Sequence, residues 1–363
     1  MTCKGLIYPR DLEAWRRWHS RQAPLRRIRA GLRRRPRAVP WLAVRGTSPV
    51  VLVALDAVTP TQLSSLVRPL ELLTDFDVAV LAPGKLGHLL PPGAWDWHQA
   101  AEDDWVPEAL AGVRAVLSVG HHLPNGALAD VWAEKLGAER VVVQHGLLSP
   151  HAPPLPVNAR LLAFSDADAA FSASGRDDVL RATVGSQLLW AAGSEGVVAL
   201  TADDDGARPL YLGQLHGAEL PRRAKARAAE AFCRAHNAEY RPHPAEGDVV
   251  SRLQHRLWER AGIGIDRESR PLSELSRPVV SVFSTGVLEA AARGLPAWVS
   301  YPRPPRWLEE FWDRYSMGHW GRRPTLAPPR PAREPAVAVA DHVARAAGLQ
   351  GVKDASRHSR GRR

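Results

Sequence analysis

From residue 49 the chain repeats one pattern: a short continuous apolar run, a segment with helical spacing, then another run. The runs are PVVLVALDA (49–57), FDVAVLAP (76–83), RAVLSVG (114–120), RVVVQHG (140–146) and RLLAFS (160–165), followed by GSQLLWAAG (185–193). Runs without polar alternation read as strands buried on both faces, and such strands belong to parallel sheets. A second series begins at Arg208: RPLYLGQLHG, helical PRRAKARAAEAFCRAHN, AEYRPHP, helical DVVSRLQHRLWERAG, GIGID, RPVVSVFSTG, helical VLEAAARGL and PAWVSY. The fold class is therefore α/β, with two consecutive Rossmann-like domains facing a cleft. Their boundaries are 46–200 and 201–320, with a hinge near 198–208, where TADDDGAR supplies turn chemistry. At 363 residues the chain has room for both.

The net charge of +10 is unevenly spread. Residues 1–45 carry 13 Lys/Arg against 2 acidic residues, and residues 352–363 carry 5 against 1. What remains, 30 against 35, is mildly acidic, which argues against a nucleic-acid groove in the folded body. The basic arm, 1–45, also holds Trp15, Trp18, Leu25, Ile28, Leu32 and Trp41, with Leu25, Ile28 and Leu32 on one helical face. Such a segment suits an anionic membrane surface, a solvated arm or a nucleic-acid tail. No apolar run is long enough to span a membrane, and the N-terminus lacks the apolar centre of a secretory signal. Cys3 and Cys233 lack metal-site spacing. The expected setting is cytoplasmic, peripheral at the inner face of the cell membrane. Residues 321–363 read as a Pro/Arg-rich linker, a short helix and a basic tail, and Trp307, Phe311 and Tyr315 as one apolar helix face.

Three strand ends carry polar residues. In VVSVFSTGVLEAAA, the strand delivers Ser284, Thr285 and Gly286 to the sheet edge where ligands of open parallel sheets sit. The following helix points free N–H groups and its positive dipole end at the same place, so a phosphate would fit there. A plain N-cap would explain the same hydroxyls. With Thr285 as the cap, Glu289 lies beyond the capping box and could accept from a ribose diol. In EYRPHP, prolines on both sides of His243 stop the strand and leave the imidazole at the edge, next to Arg241. In QHG, His145 ends another strand beside Gly146, which would let a substrate approach. A histidine there suits general-base work. His121 and His122 end a further strand and are the next candidates. Asp204-Asp205-Gly206 reads as a turn, and Asp166 and Asp168 as capping or polar loop residues.

RPHP followed some forty residues later by STGVLEAAARGLP resembles the GT-B transferase superfamily. The nearest groups are the CDP-glycerol glycerophosphotransferases and the bacterial sialyl- and polysialyltransferases. The resemblance is best over 208–300 and only architectural over 49–200. It implies donor-phosphate binding by His243, Ser284, Thr285 and Gly286, and nucleotide or ribose contacts by Glu289 and Arg241. It implies that His145 is the general base, and that no metal or cofactor is required. The implied partners are a nucleotide-activated sugar or polyol donor and a lipid-linked or glycan acceptor of the cell envelope. The glycosyl donor is the first choice. A polyol-phosphate transferase and a non-catalytic RNA- or polyanion-binding protein are the alternatives.

Overall fold

The computed structural model describes residues 5–22, 39–100, 105–194, 208–215, 217–267, 272–274 and 276–350. Leu25, Ile28, Leu32, the Asp204–Gly206 turn, nearly all of the expected hinge and the basic tail lie outside the described residues. Within them the chain forms helix α1 (Leu12–Arg21), then β1 (Trp41–Arg45) and β2 (Val51–Ala54). Pro60–Gln62, Leu63–Val67 and Arg68–Leu70 make one helical run, α2, with a π-helical middle. Next come β3 (Val78–Ala82), β4 (Asp96–Gln99), β5 (Ala115–Ser118), α3 (Pro124–Leu136), β6 (Glu139–Val143) and β7 (Arg160–Ala163). The first half ends with α4 (Asp166–Ser172), β8 (Leu180–Thr183) and α5 (Gln187–Ser194). The second contains β9 (Leu210–Leu212), α6 (Arg222–Ala235), β10 (Glu239–Arg241), α7 (Val249–Arg260), β11 (Val279–Ser281), α8 (Thr285–Ala292), β12 (Ala297–Val299) and α9 (Arg306–Arg314). Helix α10 (Pro335–Ala346) follows.

The class is α/β, with an eight-stranded mixed sheet in the order β4-β1-β3-β2-β5-β6-β7-β8 and a four-stranded sheet in the order β10-β9-β11-β12. In the first, β1 pairs antiparallel with β3 and β4, and the remaining pairs are parallel. The second is parallel throughout. Strand β2 shows why the apolar runs are continuous. Val51 and Val53 pack under α2 and α10, whereas Leu52 and Ala54 pack under α3, so both faces are buried.

Three expectations change. Residues 1–45 are not an appendage throughout, because β1 lies inside the first sheet and α1 packs on the first half. GSQLLWAAG is not a strand: it is helix α5, since a short apolar run has no period to separate the two forms. The Pro/Arg-rich stretch is packed rather than a bare linker. Arg330 lies 4.0 Å over the Trp190 ring, and Gln187 bonds both the Ala336 N–H and Glu334. No helix among the described residues is long and apolar enough to cross a membrane.

The halves meet through α5 against α8 and through a polar knot. Asp168 is fully buried. Its carboxylate accepts from the Tyr315 hydroxyl at 2.6 Å and from Gln144 Nε2 at 3.1 Å, with Arg314 Nε 3.4 Å away. Tyr315 also accepts from the Leu148 N–H at 2.8 Å. The expected apolar face of α9 holds for Phe311, which is 1% exposed, but Tyr315 spends its hydroxyl on joining the halves. Tyr315→Phe should leave a buried carboxylate and a backbone N–H each short of a partner. Its cost should be about 2–3 kcal/mol in denaturant unfolding, against well under 1 for an exposed substitution such as Arg223→Ala.

Candidate functional site

At the end of β6, Gln144 is 4% exposed and fixes the loop that carries His145. Its Oε1 accepts from the Phe164 N–H at 2.8 Å, and its Nε2 donates to the Gly146 carbonyl at 3.0 Å as well as to Asp168. A Cβ on Gly146 would meet open space. His145 lines a cavity of about 420 Å³, together with His122 from the end of β5, His151, and Trp15, Trp18 and His19 of α1. Gly217, Ala218 and Glu219, from the loop after β9, supply the wall from the second half.

Aromatic contacts build the facing wall, from the first half. Trp18 stacks on His151 with centroids 4.5 Å apart and a 9° interplanar angle. Trp15 meets the His122 ring edge-on at 5.6 Å and donates from Nε1 to the His151 carbonyl at 2.8 Å. Burial pushes the His145 pKa down to about 4. Burial, then the neighbouring His145, His121, His19 and Arg16, pushes His122 down to about 3. Both are neutral at pH 7. The Nδ1 atoms of His122 and His151 and Oε2 of Glu219 are buried without a hydrogen-bond partner among the described residues. Neutral imidazoles, a carboxylate and two indoles suit a ligand that is rich in hydroxyls and has apolar ring faces. His121 is also held neutral by burial but does not line this cavity.

The donor candidates stand at the carboxyl edge of the second sheet, where strand order reverses between β9 and β11. Gln214 bridges those strands, its Oε1 accepting from Ser281 Oγ at 3.1 Å and the Phe283 N–H at 2.8 Å. Ser284, not Thr285, caps α8, its Oγ accepting from the Gly286 N–H at 3.1 Å. The Thr285 hydroxyl has no protein partner among the described residues, and Glu289 is half-buried one turn further on. Gly286 serves packing as much as access, since a Cβ there would come within 2.6 Å of Leu212 and 2.9 Å of Leu272. His243 is exposed, and its Nδ1 accepts from the Ala245 N–H at 3.1 Å, so the ring proton sits on Nε2. Arg241 pairs with Asp266 at 2.8 Å. None of these residues lines the His145 cavity, so the structure brings together His145 and His122 but not His145 and His243.

The first sheet has its own reversal point, between β2 and β5, and it is already filled. Asp56 accepts from the Asn125 and Gly126 N–H groups, at 2.7 and 3.1 Å, at the start of α3. Burial raises its pKa despite those bonds. An anion would meet a carboxylate there, so a phosphate is better received on the second sheet. Asp166 and Asp168 were expected as capping or polar loop residues, but Ser165 is the cap, both lie in the first turn of α4, and Asp168 is fully buried. Among the described residues no cluster of three or more His, Cys, Asp or Glu could hold a metal.

Glu219, His151 and the docked α1 were not anticipated. The spacing of Trp15, Trp18 and His19 was a usable signal, because the three fall on one helical face. A scan against models of known protein families gives no match, and neither does a search of curated proteins.

Because His122 and His145 titrate near 3 and 4 when folded and near 6.5 when unfolded, the unfolded chain binds more protons below pH 6.5. Their contribution to stability is therefore full above pH 6.5 and is lost as pH falls toward 4 and 3. The slope is up to about 1.4 kcal/mol per pH unit for each histidine. Urea unfolding between pH 7 and pH 4.5 should show this loss, and His122→Gln should flatten it.

Proposed function

We propose that the chain is a transferase of GT-B type, in which two Rossmann-like units face a cleft, the acceptor held on the first and a nucleotide-activated donor on the second. The reading is carried by the cavity of about 420 Å³ that the His145 loop and the loop after β9 line from opposite halves. Occupation of the first sheet's helix N-terminus by Asp56 supports donor binding on the second.

In this reading the donor diphosphate lies against the N-terminus of α8, taking hydrogen bonds from Thr285 and from Nε2 of His243. Closure of the halves brings donor and acceptor together, because the two sites are separate in this conformation. His145 takes the proton from an acceptor hydroxyl, and that oxygen attacks the activated carbon. The bond from that carbon to the phosphate oxygen breaks, and α8, Thr285 and His243 receive the charge left on the nucleotide. A base with a pKa of about 4 is free of its proton at pH 7 but holds a captured one weakly. Glu219, on the facing wall of the cavity, acts on His151 rather than on His145. The acceptor class is a hydroxyl-rich glycan, free or lipid-linked. Attachment to an anionic membrane through residues 1–45 would fall to Leu25, Ile28, Leu32 and the surrounding arginines, since Trp15 and Trp18 line the cavity.

His243→Ala and Thr285→Ala should each weaken donor binding by roughly ten- to a hundred-fold in calorimetric titrations of nucleoside diphosphate sugars and CMP- or CDP-linked donors. Ser284→Ala is the poorer test, because it also removes a helix cap. If both variants bind like the wild type, the donor assignment fails. If no nucleotide binds but RNA does, the polyanion-binding reading replaces the transferase.

His145→Ala should cut turnover by about a hundred-fold or more at unchanged donor affinity. The acid limb of kcat/KM should fall near pH 4 rather than near 6.5, as expected for a base whose neutral form persists to that pH. A limb near 6.5 that survives His145→Ala would move the role elsewhere.

A further inference from the structure

Among the described residues, helix α7 is packed on one side only. Ser251, His255 and Trp258 are buried. Arg222 Nη2 donates to Ser251 Oγ at 3.1 Å and Trp258 Nε1 to Glu230 at 3.2 Å, which ties this side to α6. On the opposite side Val250, Leu253 and Leu257 recur at i, i+3 and i+7 with Val249 beside them, and they are 46, 56, 49 and 54% exposed, respectively. Isolated exposed leucines are ordinary, but four aliphatic side chains in one helical ridge form a patch.

A second ridge runs along its edge. Arg252, Arg256 and Arg260, at i, i+4 and i+8, are all exposed. Arg252 donates to the Gly247 carbonyl, whereas Arg256 and Arg260 have no ion pair among the described residues. The single acid of α7, Glu259, is paired with Arg267 at 2.9 Å. Arg223 and Arg227 on neighbouring α6 are exposed as well.

We propose that this face of the second half is an in-plane binding surface for an anionic lipid bilayer. The aliphatic ridge would enter the boundary between headgroups and acyl chains, while the arginines keep their guanidinium groups among lipid phosphates and lay their stems along the apolar surface. A two-fold copy of the chain fits worse, because pairing the ridge with itself would bring one arginine row against another. The inference needs neither the transferase reading nor the N-terminal segment. His243 lies just upstream of α7, so a bound bilayer would set the carboxyl edge of the second sheet near the headgroups.

The test uses the full chain with Cys3→Ser and Leu253→Cys, labelled at residue 253 with an environment-sensitive fluorophore. Cys233 is buried and should stay unlabelled. Vesicles containing phosphatidylglycerol should shift the emission to the blue, and pure phosphatidylcholine vesicles should not. In the unlabelled chain, Arg256→Ala with Arg260→Ala should weaken partitioning at low salt by on the order of twenty-fold, about fivefold per basic residue. Leu253→Glu with Leu257→Glu should weaken it further without lowering the melting temperature. No shift on anionic vesicles, or an equal shift on neutral ones, would overturn the proposal. So would a lipid-free, concentration-dependent shift that tracks a dimer in light scattering and disappears with the double glutamate variant, which would make a second copy the occupant.

Discussion

Asp168 is the residue on which the arrangement of the site depends. A carboxylate removed from water costs several kcal/mol unless its oxygens are occupied. Here the occupants come from three places: Gln144 at the end of β6, Tyr315 after α9, and the Arg314 guanidinium alongside. Gln144 in turn fixes the Gly146 carbonyl, and Tyr315 holds the Leu148 N–H. The loop carrying His145 is thus held on both sides by groups that answer to one buried charge. Its geometry and the joint between the halves are a single hydrogen-bonded unit, so whatever shifts the joint also shifts His145.

The same joint borders a second cavity of about 600 Å³, lined by Leu147, Leu189, Leu288, Tyr315 and the strap around Pro329. Leu288 belongs to α8, the helix whose first turn presents Thr285. The other side of this helix, through Val287, Ala290 and Ala291, belongs to the core around β11.

The strands of both sheets were legible where burial on two faces leaves a continuous apolar run, as at β2, β3, β5 and β6. Strands β1, β4 and β8 were missed for different reasons. WLAVR follows an arginine-rich stretch, DWHQ is polar and mostly exposed at the sheet edge, and LRAT has only partial burial. Edge strands take their stability from one neighbour and so need less apolar sequence. At the second sheet's edge the residue types were readable but their division of labour was not. Ser284 and Thr285 both can cap, and backbone dihedral angles decide which one does. Tyr315 looked like core because its ring is core, and only the position of Asp168 gives its hydroxyl a task. Glu219 sits in a loop, without periodicity to announce it. The tryptophans of α1 were misread because nearby arginines suit a lipid surface equally well, and only the fold supplies His122 and His151 as alternative partners.

Helix α10 completes the first half from the far end of the chain. Val339, Val343 and Ala344 cover the same face of β2 and β5 that Leu66 and Leu70 cover from α2. During synthesis, β2, β3, β5 and β6 leave the ribosome long before residues 335–346 exist. Until then the sheet has one apolar face only partly roofed. The first half is therefore not a self-sufficient folding unit, and a gene fragment ending near residue 200 would encode a sheet with an open side. Among the described residues, the last helix to be made is the one that roofs the sheet whose strands are made first.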